Sequence, residues 1–382
     1  MSELKRILAL NSWHGGSHRA FLEGWIEHSR HEFAVLSLPP GKWKWRMRHG
    51  AITLAEQLRE DARFAGQQFD ALFCTDMLNL AEFRGLAPGW VFDLPTVVYF
   101  HENQLTYPVR EERERDLHFA MTNFTTCLAA DEVWFNSAWH RDEFLNASSQ
   151  FLNRMPDFVE PALADRIREK SSVQPLGIAQ CPVPATHREG PLRIAWVARW
   201  EHDKNPEQFF NALFELESRG VDFRVFTLGE SFAEVPDCFP AARHKLAGRI
   251  DHWGFAESRE AYWQVLAKCD VVVSTAAHEF FGIAILEAVS AGCFPLVPRE
   301  LAYPETLGES SNDWFHDSTV KGIVSRLESL AQKQHAPKAP SVDRFAWSVR
   351  ATEMDERFEQ VMNRGSMAVG DRLLRRFVSR DA

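Results

Sequence analysis

The chain is predicted to fold as two doubly wound α/β domains, and three observations carry that prediction. Short apolar runs alternate with amphipathic helical patterns, as expected of strand–helix–strand units that build parallel sheets. The alternation occurs in two series, and 382 residues exceed what one ordinary hydrophobic core takes up. Between the series, residues 171–191 are rich in Pro, Gly and Ser, and Pro175, Pro182, Pro184 and Pro191 each disfavour helix around themselves.

The strand-like runs of the first series are residues 6–11, 33–38, 71–75, 96–100 and 132–136; those of the second are 193–197, 222–228, 270–274 and 294–297. The predicted domains are therefore residues 1–172 and 190–344, with 171–191 as the linker. A further Pro-bearing stretch, 336–341 with Pro337 and Pro340, precedes a helix-like segment from Phe345 to Met362.

Composition narrows the class. With 45% hydrophobic and 25% charged residues this is ordinary soluble protein. Six cysteines without a Cys-x-x-Cys pair argue for reduced thiols and against a zinc site. No apolar run reaches the roughly 18 residues a membrane helix needs, and the first residues enter a strand pattern rather than a signal peptide, so a cytoplasmic location without stable membrane association is expected. A net charge of −10 disfavours bulk attraction to nucleic acid and leaves that task to local patches.

Residues 278–287, His-Glu-Phe-Phe-Gly-Ile-Ala-Ile-Leu-Glu, carry the densest chemical signal. Glu279 follows an apolar strand, and Glu287 lies eight positions on. Read as helix, that spacing is roughly 12 Å of rise, right for gripping two parts of one extended ligand. The backbone N–H groups of Phe281, Gly282 and Ile283 would sit at a helix N-terminus, where unpaired donors favour a diphosphate. A sugar nucleotide fits these features, and a cofactor or metal is not called for.

Glu279 and Glu287 match the Glu-x7-Glu signature, and the chain thereby resembles retaining GT-B glycosyltransferases, in which two Rossmann-like domains face each other across a cleft. The resemblance implies that the last helix, within residues 345–382, packs back on the first domain. It places Arg199 and Lys204, in the segment 193–206, on the donor diphosphate. Two fixed cations there would stabilise charge building on the departing phosphate more in the transition state than in the substrate. Glu287 would accept from the two ribose hydroxyls, and Glu279 would contact the sugar. Phe255, in the Trp253-Gly254-Phe255 loop, falls where the family flanks the nucleobase; a core aromatic beside a turn glycine is the other reading. Gly15 and Gly16, after the first strand, match a family loop beside the diphosphate. His101 resembles the histidine that points at the transferred sugar, although a structural histidine and a mechanism without a dedicated base are equally consistent.

One segment is atypical of that large group. Residues 38–49 interleave Lys42, Lys44, Arg46 and Arg48 with Trp43 and Trp45, a pattern suited to phosphates and stacked bases, to a membrane surface, or to a solvated basic turn. Together with residues 11–18, 74–77, 99–104 and 135–137, it resembles the tRNA-queuosine alpha-mannosyltransferase family over nearly the whole chain. That resemblance implies GDP-mannose as donor, a nucleotide sugar and tRNA as partners, and the cyclopentene diol of queuosine in aspartate tRNA as acceptor. His14, His18, Asp76 and Asn103 are then the candidates facing the acceptor, with Arg372, Arg375, Arg376 and Arg380 as additional cations. Another nucleotide sugar with a glycan or lipid acceptor, and a catalytically silent RNA-binding module, are the competing readings. Guanine and uracil donors cannot be told apart from these residues.

Overall fold

The structure, a computed structural model, describes residues 3–109, 115–157, 162–183, 185, 190–231, 235–333 and 338–378, with side chains described up to residue 364. Pro184, Ala336, Pro337 and Arg380, and the side chains of Arg372, Arg375 and Arg376, lie outside the described residues. The chain divides into two compact units, one of residues 1–177 with 347–382 and one of residues 178–346.

The first unit holds strands β1 (Arg6–Asn11), β2 (Glu32–Ser37), β3 (Ala71–Thr75), β4 (Thr96–Phe100), β5 (Glu132–Phe135) and β6 (Ser171–Val173). They pair in parallel in the order β2-β1-β3-β4-β5-β6. Strands β3, β4 and β5 are buried at every position, as expected of a parallel sheet covered on both faces. The covering helices are α1 (Gly16–His28), α2 (Trp43–Glu60), α3 (Leu80–Leu86), α4 (Leu117–Ala129), α5 (Ala138–Leu152) and α6 (Ala162–Glu169).

The linker prediction needs one correction. Residues 171–173 are not linker but the edge strand β6, paired with Val133–Phe135. Ser-Ser-Val extends readily, and the Ser172 hydroxyl donates to Glu132 Oε1 at 2.9 Å; the proline-driven irregularity starts only at Pro175.

The second unit holds α7 (Pro206–Ser218), α8 (Cys238–Lys245), α9 (Arg259–Leu266), α10 (Ile283–Ser290), α11 (Tyr303–Leu307) and α12 (Val320–Ala331) around strands β7 (Leu192–Val197), β8 (Phe223–Leu228), β9 (Ile250–Gly254), β10 (Val271–Val273), β11 (Phe294–Pro298) and β12 (Phe315–His316). Its sheet is also parallel, ordered β12-β11-β10-β7-β8-β9. Counted from its own first strand this is the dinucleotide-binding order, with its reversal between β7 and β10. In the first sheet the reversal lies between β1 and β3. Ligand crevices of open parallel sheets form outside the carboxyl ends of strands at such reversals, which directs attention to the segments after Val197 and Val273 in one unit and after Asn11 and Thr75 in the other.

The last helix, α13 (Trp347–Val378), completes the first unit and runs well past the Met362 limit suggested by the sequence. Asp355 accepts from Trp25 Nε1 at 2.8 Å, Ser29 Oγ at 2.8 Å and the Arg30 amide at 2.9 Å. The Arg357 guanidinium grips buried Glu132 through two bonds of 2.6 and 2.9 Å. The Trp347 indole lies so close to Gly24 and Gly177 that a Cβ on either would come within 2.3 and 2.2 Å of it. Among the described residues no helix is long and apolar enough to cross a membrane.

Candidate active site

In the second unit the turn after β7 and the loop after β10 are built against each other. The first ends in a short turn, His202–Lys204, and Asn205 takes the left-handed conformation (φ 47°) so that Pro206 can open α7. The Ala277 amide donates to the Asp203 carbonyl at 2.8 Å, and Thr275 Oγ1 lies 2.9 Å from the carbonyl oxygens of both Lys204 and Asn205. These bonds bring Lys204 to Glu279, with Nζ 3.2 Å from Oε2 and 2.9 Å from the His278 carbonyl. Asp203 adds a second carboxylate at 3.2 Å.

Burial alone would pull the Lys204 ammonium down, but Glu279 and Asp203 outweigh it and hold it above the ordinary lysine range. For Glu279 burial pushes upward, and Lys204 and the Phe281 amide reverse it, leaving the carboxyl below its usual value. The pair is thus ionised across the neutral range. A narrow cavity is lined by Trp196, Lys204, Ser274, Glu279, Gly282 and Tyr303 among others. Arg199 does not line it; the guanidinium pairs with Glu201 at 3.1 Å, yet is close enough to Lys204 to oppose its charge.

Two expectations for this region change. Glu279 sits in the loop, as expected, since Gly282 adopts φ 91° and α10 starts only at Ile283. Helical rise therefore does not set the spacing of the two acids. Glu279 Oε1 instead accepts from the amides of Gly282 at 3.1 Å and Phe281 at 3.4 Å. The carboxylate occupies two of the N–H groups assigned to a diphosphate, which leaves Ile283 of the three. Gly282 is also required sterically, since a Cβ would stand 3.0 Å from the Tyr303 ring.

Glu287 lies apart from that cavity, held by two residues that the sequence did not single out. Arg259 forms a short ion pair with it, and the Tyr262 hydroxyl donates to it at 3.0 Å. Neither could be found by spacing, because both partners come from a different helix more than twenty residues upstream. Trp253 and Gly254 end β9 rather than forming a loop. Trp253 is half-buried and packs on Trp200 and Phe210, whereas Phe255, past Gly254 (φ 113°), is 74% exposed.

In the first unit the loop after β1 carries His14 and the two glycines. His14 Nδ1 is 3.1 Å from Asn11 Nδ2. The glycines have reasons within the chain: a Cβ on Gly15 would stand 2.5 Å from Pro40, and Gly16 has φ 49°. Close approach of a ligand is not needed to explain them. His18, on the first turns of α1, lies 4.1 Å ring to ring from His101, which also contacts Tyr99 and Phe21 at 4.7 and 4.9 Å. Both ring nitrogens of His101 and Nδ1 of His18 are buried without a hydrogen-bond partner, a state that costs roughly 1–3 kcal/mol per group and calls for an explanation such as a ligand hydroxyl.

Burial, with His14 adding to it, pushes His18 down to about 3, and burial lowers His101 well below the usual histidine value. Both imidazoles are neutral at pH 7. The folded state refuses a proton that the unfolded chain takes up near pH 6.5, so this contribution is complete above about pH 6.5 and is lost as pH falls toward 3. Asp76 works in the opposite direction, because burial and neighbouring Glu102 raise its carboxyl. The comparison of wild type with His18→Asn removes that term: between pH 7 and about 5.5 the wild type should lose about 1 kcal/mol more than the variant in chemical denaturation. Equal losses would show that His18 is not buried neutral.

Asp76 and Asn103 are placed differently from the expectation that they face acceptor hydroxyls. Asp76 is 1% exposed and accepts from the His101 amide at 2.9 Å. Asn103 is fully buried and accepts from the amides of Leu105 and Thr106 at 3.0 and 2.9 Å. Both side chains shape the loop after β4 and with it the position of His101.

The basic segment opens α2. Lys42 is its left-handed cap (φ 47°), Trp43 packs on Phe119 at 5.2 Å, and Arg48 lies 4.7 Å over the same ring. Arg46 is spent on the Pro39 carbonyl and His49. Lys42, Lys44 and Arg48 remain at the surface beside Trp45, which is 60% exposed. No acidic residue shares this first turn, and cations there work against the helix dipole.

The fold and the Lys204–Glu279 centre define a glycosyltransferase of the GT-B fold. Residues 182–344 match the family Glycosyl transferases group 1, and residues 6–178 match the tRNA-queuosine alpha-mannosyltransferase N-terminal family. The tRNA-queuosine alpha-mannosyltransferase of Drosophila melanogaster is 39% identical over 311 residues, covering 78% of this chain and 81% of that protein. The chain belongs to the tRNA-queuosine alpha-mannosyltransferase family. A GDP-mannose-dependent alpha-(1-6)-phosphatidylinositol dimannoside mannosyltransferase of Mycobacterium tuberculosis is 28% identical over 323 residues, covering 79% of this chain and 75% of that protein. Among solved structures, sucrose-phosphate synthase from Thermosynechococcus elongatus superposes with a TM-score of 0.70 at 13% identity, covering 94% of this chain and 100% of that one. Anabaena Alr3699/HepE in complex with UDP-glucose gives 0.61 at 16% identity, covering 93% and 100%. These two likenesses speak to the fold.

Proposed function

We propose that the enzyme transfers mannose, with retention, from GDP-mannose to the cyclopentene diol of queuosine in aspartate tRNA. The observation that carries this reading is the 39% identity to the Drosophila queuosine enzyme over most of both chains, joined to an intact Lys204–Glu279 pair at the strand-order reversal of the second unit. Departure of a nucleoside diphosphate builds charge on its phosphate oxygen. Lys204 and Arg199 supply cations for that charge in this reading, without a metal or other cofactor, while Glu279 holds Lys204 in place and contacts the sugar. Neutral His101 and His18 offer one donor and one acceptor nitrogen each, which suits hydroxyl groups rather than a phosphate.

The decisive assay incubates the protein with GDP-mannose or UDP-glucose and with tRNA that does or does not carry queuosine, and weighs the nucleoside after digestion. A gain of one hexose only with GDP-mannose and queuosine tRNA supports the reading; transfer confined to other pairs, or none, overturns it. A lipid acceptor is the second reading, favoured by the mycobacterial relative, and phosphatidylinositol mannosides belong in the same assay. Family membership and the intact charge centre count against a catalytically silent module. A tRNA acceptor would place the enzyme in the cytoplasm.

The start of α2 is the proposed RNA contact. Replacing Lys42, Lys44 and Arg48 by alanine should weaken tRNA binding and flatten the plot of log affinity against log salt by about 2–3, at roughly 0.7–0.9 for each phosphate that is no longer neutralised. An unchanged slope would remove this helix from the acceptor surface, and binding to anionic vesicles instead of tRNA would assign it to a membrane.

A further inference from the structure

Glu287 is the expected ribose acceptor, yet its side chain is only 10% exposed and is already engaged. Arg259 donates from Nη2 to Oε1 and lies 3.5 Å from Oε2 through Nη1, and Tyr262 donates to Oε2 at 3.0 Å. The guanidinium itself packs against two rings, with Cζ 4.5 Å from the Trp263 ring centre and 5.1 Å from that of Tyr262. Arg259, Tyr262 and Trp263 all belong to α9, whose start is fixed by Ser258 accepting from the Ala261 amide. Phe255, in the loop where the nucleobase is expected, is four residues before Arg259. The other titratable groups that face this cluster are the thiols of Cys181 and Cys293.

A carboxylate this deep in the protein has two ways to exist. Alone, it would take up a proton, and a neutral carboxyl is a poorer acceptor for hydroxyl groups. Paired with a fixed guanidinium, it stays charged and keeps its orientation. Burial holds the Glu287 carboxyl above its ordinary value, and Arg259 and Tyr262 limit that rise. Of about four lone-pair positions on a carboxylate, Arg259 and Tyr262 take three, which leaves capacity on Oε1.

We propose that Arg259 is the positioning residue that makes Glu287 a ribose acceptor: packed against the Trp263 and Tyr262 rings, it is the fixed counter-ion of the buried carboxylate and aims Oε1 at an incoming ribose hydroxyl. This rests on the reading of Glu287 as the residue that takes the donor's ribose. It adds Arg259, half-exposed and reachable, as a determinant of nucleotide affinity that acts through another residue rather than by touching the ligand.

The test compares GDP with 2′-deoxy-GDP by calorimetry at pH 5.5 and 8, in wild type, Glu287→Gln, Arg259→Gln and Arg259→Lys. Wild type should prefer the ribonucleotide by about tenfold at both pH values, the size of one hydrogen bond to a charged group. Arg259→Gln should lose that preference at pH 5.5 and regain part of it at pH 8, because a carboxyl without its counter-ion ionises only as pH rises. Arg259→Lys should restore the preference and its flat pH profile. A merely structural arginine would lower the melting temperature and weaken both nucleotides equally. If Glu287→Gln loses the preference while Arg259→Gln keeps it at both pH values, the positioning role is overturned and the ribose reading stands. If wild type shows no preference, or Glu287→Gln keeps it, the ribose reading itself has failed.

Discussion

Replacing Lys204 by alanine is expected to lower the rate of sugar transfer by about 10²–10³-fold, the range for removing one fixed electrostatic stabiliser of a developing negative charge. Lys204 lines the cavity at the carboxyl end of β7 and is anchored from three sides, by Asp203, Glu279 and the His278 carbonyl. A cation held in that way needs little reorganisation when charge appears on a phosphate. The same anchoring complicates the variant. Its removal strands Glu279 in a largely buried position, and breaking one partner of a buried pair costs about 3–5 kcal/mol. Transfer rates should therefore be measured beside melting curves, with Glu279→Gln as the milder companion, because glutamine keeps the shape and gives up the charge. A folded Lys204→Ala enzyme that turns over near the wild-type rate would leave Lys204 as a structural cation only.

Arg357→Ala should destabilise the first unit by about 3–5 kcal/mol. Glu132, with its side chain 3% exposed, has Arg357 as its doubly bonded partner, while Arg364 stands 3.8 Å away. The Trp134 indole and the Ser172 hydroxyl donate to the same carboxylate at 2.9 Å each, which softens but does not neutralise the loss. Denaturant unfolding reads the effect directly. A loss below about 1 kcal/mol, the range of exposed pairs, would mean that Arg364 or water takes over. The Glu132→Gln variant should then recover part of the stability lost in Arg357→Ala, since a neutral amide does not need the counter-charge.

The fold was legible because parallel strands buried on both faces leave continuous apolar runs, and runs such as 71–75 and 96–100 coincide with β3 and β4. The strand β6 was not, because three residues with two serines carry no apolar signal and are set by pairing with β5. At the site, Lys204 and Glu279 could be gathered through the resemblance to GT-B glycosyltransferases, and the structure sets each after a strand at the point of order reversal. The helix start near Gly282 was legible, whereas the capture of the Phe281 and Gly282 amides by Glu279 was not, because a side chain turning back on its own loop leaves no local pattern. Arg259 and Tyr262 were invisible for a different reason, since nothing in a local pattern says which distant side chain will meet a buried carboxylate. Asp76 and Asn103 show the converse. Their polar character pointed to a ligand, whereas backbone amides of the loop after β4 engage both.

The helix α13 has a consequence for how the protein is made. A ribosome delivers Trp25, Glu132 and the first sheet early, but Asp355 and Arg357 emerge only after the whole of residues 178–346. At 5–20 residues per second that interval is roughly 10–30 s. During it the aromatic face of α1 lacks Phe358, which later contacts Trp25 at 5.7 Å, and by its end the contiguous second unit has all of its strands. The part of the chain synthesised first is thus completed last, and the nascent chain carries an uncovered aromatic surface for most of the wait.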